Sequence, residues 1–119
     1  MKGDLSKNLS RHEFACKCGC GFDTVDVETL AVIQDACDHF DCRVLITSGC
    51  RCAEHNKKIG GAKGSKHLQG RAADCKFSKV EPAAVYHYLT TKYPERYGFG
   101  LYPTFVHIDT RSGAPWRQG

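Results

Sequence analysis

The stretch Ser65-Lys66-His67-Leu68-Gln69-Gly70-Arg71-Ala72-Ala73-Asp74, taken with Phe105-Val106-His107-Ile108-Asp109, decides how this chain is read. The two segments supply imidazoles at His67 and His107 and a carboxylate at Asp74. Three protein ligands of these types, with a fourth position left for water, make up a catalytic zinc site. Gly70 permits a tight turn after His67, and Ala72 leaves space two residues before Asp74. If 105–109 is extended, His107 and Asp109 share one face and Val106 and Ile108 the other, which suits a core. Two polar groups on one face of an otherwise apolar strand require partners, because a buried polar group without one is costly.

Working outward, residues 9–21 read as irregular and cysteine-rich. Asp26 is placed to cap a helix running to about Phe40, with Val27, Leu30, Ala31, Ile33, Gln34 and Cys37 tracing one side. Arg43-Val44-Leu45-Ile46-Thr47 reads as a strand, and a short helix at 53–59 ends at Gly60-Gly61. A Gly/Lys loop then delivers His67, and 71–77 reads as a strand. Ser78-Lys79-Val80-Glu81 has the form of a capping box, opening a helix to about Lys92 that Pro94 stops. Two strands, 98–101 and 105–109, join at Tyr102-Pro103-Thr104. Helices and strands mix without strict alternation, so the expected class is α+β, a small mostly antiparallel sheet flanked by helices.

The 119 residues fit one domain with a small core, which a metal or crosslinks would reinforce. The expected division is a cysteine-rich segment at 1–21 packed on a catalytic domain at 22–119. No apolar run is long enough to span a membrane, and Met1 to Asn8 lacks the apolar stretch of a secretory signal. The net charge of +4 includes a denser patch at Arg51, Lys57, Lys58, Lys63, Lys66 and Arg71. That patch suits either an ordinary soluble surface or attraction to an anionic polymer. No helix-turn-helix or aromatic-interleaved motif points to nucleic acid.

S-x-H-x-x-G-x-A-x-D followed by a downstream His resembles the signature of the zinc D-Ala-D-Ala carboxypeptidase group, the M15 peptidases of the hedgehog/DD-peptidase fold. The resemblance runs from about Leu9 to Trp116. It takes in Thr47-Ser48-Gly49-Cys50-Arg51, similar to the family's S-G-x-R element, and Gly98-Phe99-Gly100-Leu101-Tyr102 leading into the second His. The nearest branch is the compact one of bacteriophage lysis proteins and small murein peptidases. The resemblance implies one catalytic Zn2+ on His67, Asp74 and His107, and a monomer acting on peptidoglycan stem peptides or crosslinks next to D-amino acids. It places the work at the cell wall or periplasm, reached by phage release, carriage on a virion or another export route. It implies that Arg51 grips a substrate carboxylate or the developing oxyanion, for which a planar guanidinium suits. Many relatives carry Glu or Asp three residues before the second zinc His; this chain has Thr104 there. Asp109 is then the best local candidate for the general base, with an orienting role beside a zinc ligand as its alternative.

Each ligand also has an ordinary reading. His67 suits a solvated loop, Asp74 an ion pair with Arg71 or Lys76, and His107 a satisfied core histidine. Tyr102 and Trp116 suit either the border of a groove or packing. Eight cysteines (16, 18, 20, 37, 42, 50, 52 and 75) suggest an oxidising destination. Cys16, Cys18 and Cys20 offer a second, structural metal site, with disulfides or buried thiols as the alternative. Cys75 should point away from Asp74 into the core. Two rival functions stand beside the peptidase: a non-catalytic zinc-containing cell-wall binding module, and a thiol-rich structural or redox protein.

Overall fold

The computed structural model describes residues 9–16, 26–49, 71–111 and 114–119. The expected helix at 53–59 and the loop delivering His67 lie outside them. Within the described residues the chain is an α+β domain with two α-helices and a five-stranded sheet. Leu9 and Phe14 are buried, and a 3-10 helix, Arg11–Phe14, sits inside the stretch expected to be irregular.

Helix α1, Val27–Phe40, starts where the sequence placed it: Asp26 is extended and its side chain accepts from the Glu28 N–H at 2.9 Å. Its buried face is Thr29, Val32, Ile33, Ala36 and Cys37. The face read from the sequence was rotated from this one. Ile33 and Cys37 belong to it, but Val27 is 79% exposed and Ala31 also faces solvent. The rotation is set by Thr29, whose buried hydroxyl bonds the Thr110 hydroxyl at 2.7 Å just past the last strand of the site. A hydroxyl satisfied in this way sits in a core, and a hydrophobicity pattern does not count it.

Strand β1, Val44–Ser48, pairs antiparallel with β2, Ala72–Phe77. Helix α2 spans Pro82–Lys92. Strands β3, Gly98–Leu101, and β4, Val106–Asp109, form an antiparallel pair. The sequence did not foresee β5, Trp116–Gln118, which runs parallel to β3. The sheet order is β1-β2-β4-β3-β5.

The capping box at Ser78 is not used. The helix begins at Pro82 with Glu81 as a cap that makes no side-chain bond. Proline is preorganised for a first helical turn and needs no donor there. Ser78 instead accepts from the Arg43 N–H at 3.1 Å, and its own N–H returns to the Arg43 carbonyl at 2.9 Å. Ser78 therefore closes the end of the β1–β2 pair.

Alternation divides the sheet. Ala73, Cys75 and Phe77 of β2, Phe99 of β3, and Val106 and Ile108 of β4 join Ile33, Val85 and Leu89 of the helices in one core. Cys75 is fully buried there, as expected from its alternation with Asp74. β5 has too little apolar surface to hold itself. Arg117 holds it: its guanidinium donates to the carbonyls of Tyr93, Arg96 and Tyr97 and lies over the Phe99 ring. No helix among the described residues is long and apolar enough to cross a membrane.

The seam between the helices is closed by one carboxylate. Asp35 accepts from the hydroxyls of Tyr88 at 3.0 Å and Tyr93 at 2.8 Å, and pairs with Lys92 at 2.7 Å. Partial burial works against the charged form, but Lys92, Tyr93 and Tyr88 outweigh it and lower the Asp35 pKa. A carboxylate with a depressed folded pKa contributes stability above its unfolded value and loses it as pH falls through the folded one. Asp35→Ala should cost about 1–2 kcal/mol at neutral pH, since two tyrosine hydroxyls lose their acceptor. Urea denaturation at a series of pH values should show the gap between variant and wild type closing below about pH 4.

Candidate active site

The face of the sheet opposite the core carries the site. The register sets Asp74 opposite His107 and His107 opposite Gly100. In the next row Ala72 lies opposite Asp109, Asp109 opposite Gly98, and Gly98 beside Trp116. The polar groups thus stand in two adjacent rows with the smallest residues of the chain between them. A Cβ on Gly98 would come within 2.6 Å of the Asp109 carboxyl carbon. One on Gly100 would meet the Tyr102 ring at 2.8 Å and the Trp116 ring at 3.2 Å. Glycine at 98 makes room for the buried carboxylate, and glycine at 100 for the aromatic wall.

His107 is held from both sides. Its Nδ1 lies 3.0 Å from Asp74 Oδ1, and its Nε2 lies 2.8 Å from Asp109 Oδ2. Asp109 is fully buried. Arg111 grips it with a two-pronged contact, Nε to Oδ1 at 2.8 Å and Nη2 to Oδ2 at 2.7 Å, and adds its backbone N–H at 3.2 Å. Trp116 closes the group, edge-on to His107 at 5.6 Å and beneath the Arg111 guanidinium at 5.2 Å. Tyr102 stacks on Phe105 at 4.6 Å beside it.

The electrostatics follow from this contact pattern. Burial disfavours a charged Asp109, but the Arg111 fork and His107 outweigh it and hold its carboxyl well below the usual range. Burial likewise opposes a charged His107 ring, and Asp109 and Asp74 outweigh it and raise its pKa. A neutral imidazole carries a single N–H. Where Asp109 takes that hydrogen, it sits on Nε2. Nδ1 and the Asp74 carboxylate then face one another as two acceptors, an arrangement that a proton or a cation between them suits.

That pair fits zinc. Two ligands bound tetrahedrally at about 2.0–2.1 Å lie roughly 3.4 Å apart, so these donors need to open by only a few tenths of an ångström. A metal-binding histidine also characteristically gives its other N–H to a carboxylate, which is what Asp109 receives. The structure therefore brings together Asp74, His107 and Asp109 of the predicted site. His67 and Arg51 lie outside the described residues, as do Cys18 and Cys20; Cys16 is buried. Among the described residues no group of three or more histidine, cysteine, aspartate or glutamate side chains has a metal-binding arrangement.

Arg111 was missed in the sequence reading, although its signal is there. His107, Asp109 and Arg111 continue one period of two through β4 and past its end, which brings a cation to the imidazole and the carboxylate. Trp116, read from the sequence as groove border or packing, lies against His107 and Arg111 on a strand too short to show a period.

Gly98→Ala tests the row arrangement. The added methyl and the Asp109 carboxylate cannot both keep their places, so the variant should lose about 1–3 kcal/mol in chemical denaturation. Gly119→Ala, an exposed position whose added methyl meets the hydroxyl end of the half-buried Tyr86 ring, provides the comparison: that ring end can move aside, so the variant should lose less than Gly98→Ala.

No curated protein matches the chain. The family model for peptidase M15 matches residues 7–109, most of the chain and the whole span from the 3-10 helix through β4. That span contains Asp74, His107 and Asp109, which the sheet register gathers at one point. The chain belongs to the peptidase M15 family.

Proposed function

We propose that the chain is a zinc-dependent peptidase that hydrolyses peptide bonds of peptidoglycan, in stem peptides or their crosslinks next to D-amino acids. Membership of a peptidase family supports hydrolysis of a peptide bond. The observation that carries the zinc reading is the facing pair Asp74 Oδ1 and His107 Nδ1, with the second ring nitrogen occupied by a buried carboxylate. In this reading His67 is the third ligand. Zinc bound there would lower the pKa of a water molecule toward about 7 and polarise the scissile carbonyl. Arg51 grips the substrate carboxylate or the developing oxyanion. The chain acts as a monomer at the cell wall or in the periplasm.

Of the two roles open to Asp109, the geometry supports orientation over proton transfer. A general base must reach the attacking water and accept its proton near the working pH. Asp109 is fully buried, gives both oxygens to Arg111 and one to His107, and is held well below the usual carboxylate range. Its work is to keep the N–H on Nε2 and so leave Nδ1 to the metal. Thr104, at the position where many relatives carry an acid, is exposed and without acid–base chemistry.

The test loads the full chain with zinc and measures free amino groups released from purified peptidoglycan. Wild type should bind one zinc and release amino groups. His67→Ala, Asp74→Ala and His107→Ala should each lose both properties. Bound zinc with no release would favour the non-catalytic wall-binding reading. Asp109→Asn should weaken zinc binding by about 10–100-fold. If zinc affinity is unchanged and kcat falls by about 10²–10⁴-fold, Asp109 is the base instead.

A further inference from the structure

The C-terminus of α1 is closed by two backbone bonds. Asp41 adopts the left-handed conformation (φ 48°, ψ 56°), its N–H reaches the Asp38 carbonyl at 3.4 Å, and the Cys42 N–H reaches the Cys37 carbonyl at 3.1 Å. This pairing is the Schellman motif, in which the second residue past the helix packs its side chain against the residue five positions before it. In an ordinary helix that contact is between two apolar side chains. Here both are cysteines, both are free thiols, and both line one open depression with Phe40 and Val80.

We propose that Cys37 and Cys42 form an intramolecular disulfide that fixes the end of α1. The motif supplies a starting point for a crosslink, two cysteines whose backbones are already joined by the Cys42 N–H to Cys37 carbonyl bond. Cys42 is the more accessible of the two, while Cys37 is 1% exposed. The Cys42 thiolate attacks one sulfur of a small disulfide such as oxidised glutathione, forming a mixed disulfide and expelling one thiolate. The Cys37 thiolate then attacks the Cys42 sulfur and expels the second. Two protein thiols are oxidised, one external disulfide is reduced to two thiols, and the two protons pass to the leaving thiolates.

The bond is a staple rather than a redox centre. Burial, then Cys42 and Asp38, push the Cys37 thiol up to about 12, and burial and Asp41 raise Cys42. Thiols that ionise so reluctantly exchange slowly in either direction. The staple lies between α1 and β1, where Arg43 joins Ser78, and α1 in turn meets Thr110 beside Asp109 through Thr29. A fixed helix end therefore steadies the element that braces the site strand.

The experiment incubates the full folded chain in a glutathione redox buffer, blocks remaining thiols by alkylation in denaturant, and digests with a protease that cuts before aspartate and with trypsin, whose cuts after Arg43 and Arg51 separate Cys42, Cys50 and Cys52. Cuts before Asp38 and Asp41 place the two cysteines on separate fragments. The expected product is a Cys37–Cys42 crosslinked pair, restored to two alkylatable fragments by reduction. The oxidised chain should melt about 5–10 °C above the reduced one. Cys42→Ala, which keeps the backbone motif, should lose most of that gain. Alkylation of Cys37 in the oxidised chain, or its linkage to Cys75 or any other cysteine, would overturn the proposal. So would an undiminished gain in the folded variant. The wild-type map decides the question even if the variant does not fold.

Discussion

The arrangement of the site depends on one buried ion pair, the Asp109 carboxylate in the fork of Arg111. A carboxylate taken wholly out of water is tolerated only when its lone pairs are engaged and its charge is met. Arg111 does both from two residues further along the chain, just past β4, so the pair needs no distant element to assemble. Its consequences spread outward. Glycine is required at 98 because the carboxylate occupies the space of a side chain there. The remaining Asp109 contact is to His107 Nε2. Nδ1 is then turned toward Asp74 on the neighbouring strand.

The sheet makes that turn possible at low cost. β2 and β4 are direct neighbours, and their register places Asp74 and His107 opposite one another, so the two groups meet without a loop having to position them. The same strands give Ala73, Cys75, Val106 and Ile108 to the core. A slip of one residue would exchange the two faces, burying the polar groups and exposing the apolar ones. The core therefore protects the register, and the register places the site. Helix α1 contributes at one point, the bond of Thr29 to Thr110, which anchors the residue between Asp109 and Arg111.

Much of this was legible in the sequence. The period of two over 105–109 separated Val106 and Ile108 from His107 and Asp109, and the structure keeps that separation. Asp26 marked the start of α1, and Asp74 and Cys75 fell on opposite faces as expected. The misreadings have physical causes. The buried face of α1 was set by a threonine hydroxyl pair that hydrophobicity does not register. Ser78 had the sequence of a cap but found a better partner in the Arg43 backbone, and Pro82 opened the helix without it. β5 is three residues held by the donors of Arg117, an interaction with partners some twenty residues away that no local pattern carries. The role of Asp109 depended on Arg111. The sequence offered Asp109 as a base or as an orienting group beside a zinc ligand; the Arg111 guanidinium on it is the observation that favours the second.

The most direct measurement is the tautomer of His107, read from long-range ¹H–¹⁵N correlations of the imidazole in the full chain as zinc is added. The account predicts that in the zinc-bound chain Nε2 carries the hydrogen and Nδ1 shifts as the metal ligand, and that Asp109→Asn disturbs this assignment. A hydrogen on Nδ1, with Nε2 responding to zinc, would contradict it, because Asp109 would then face the metal rather than hold the ring.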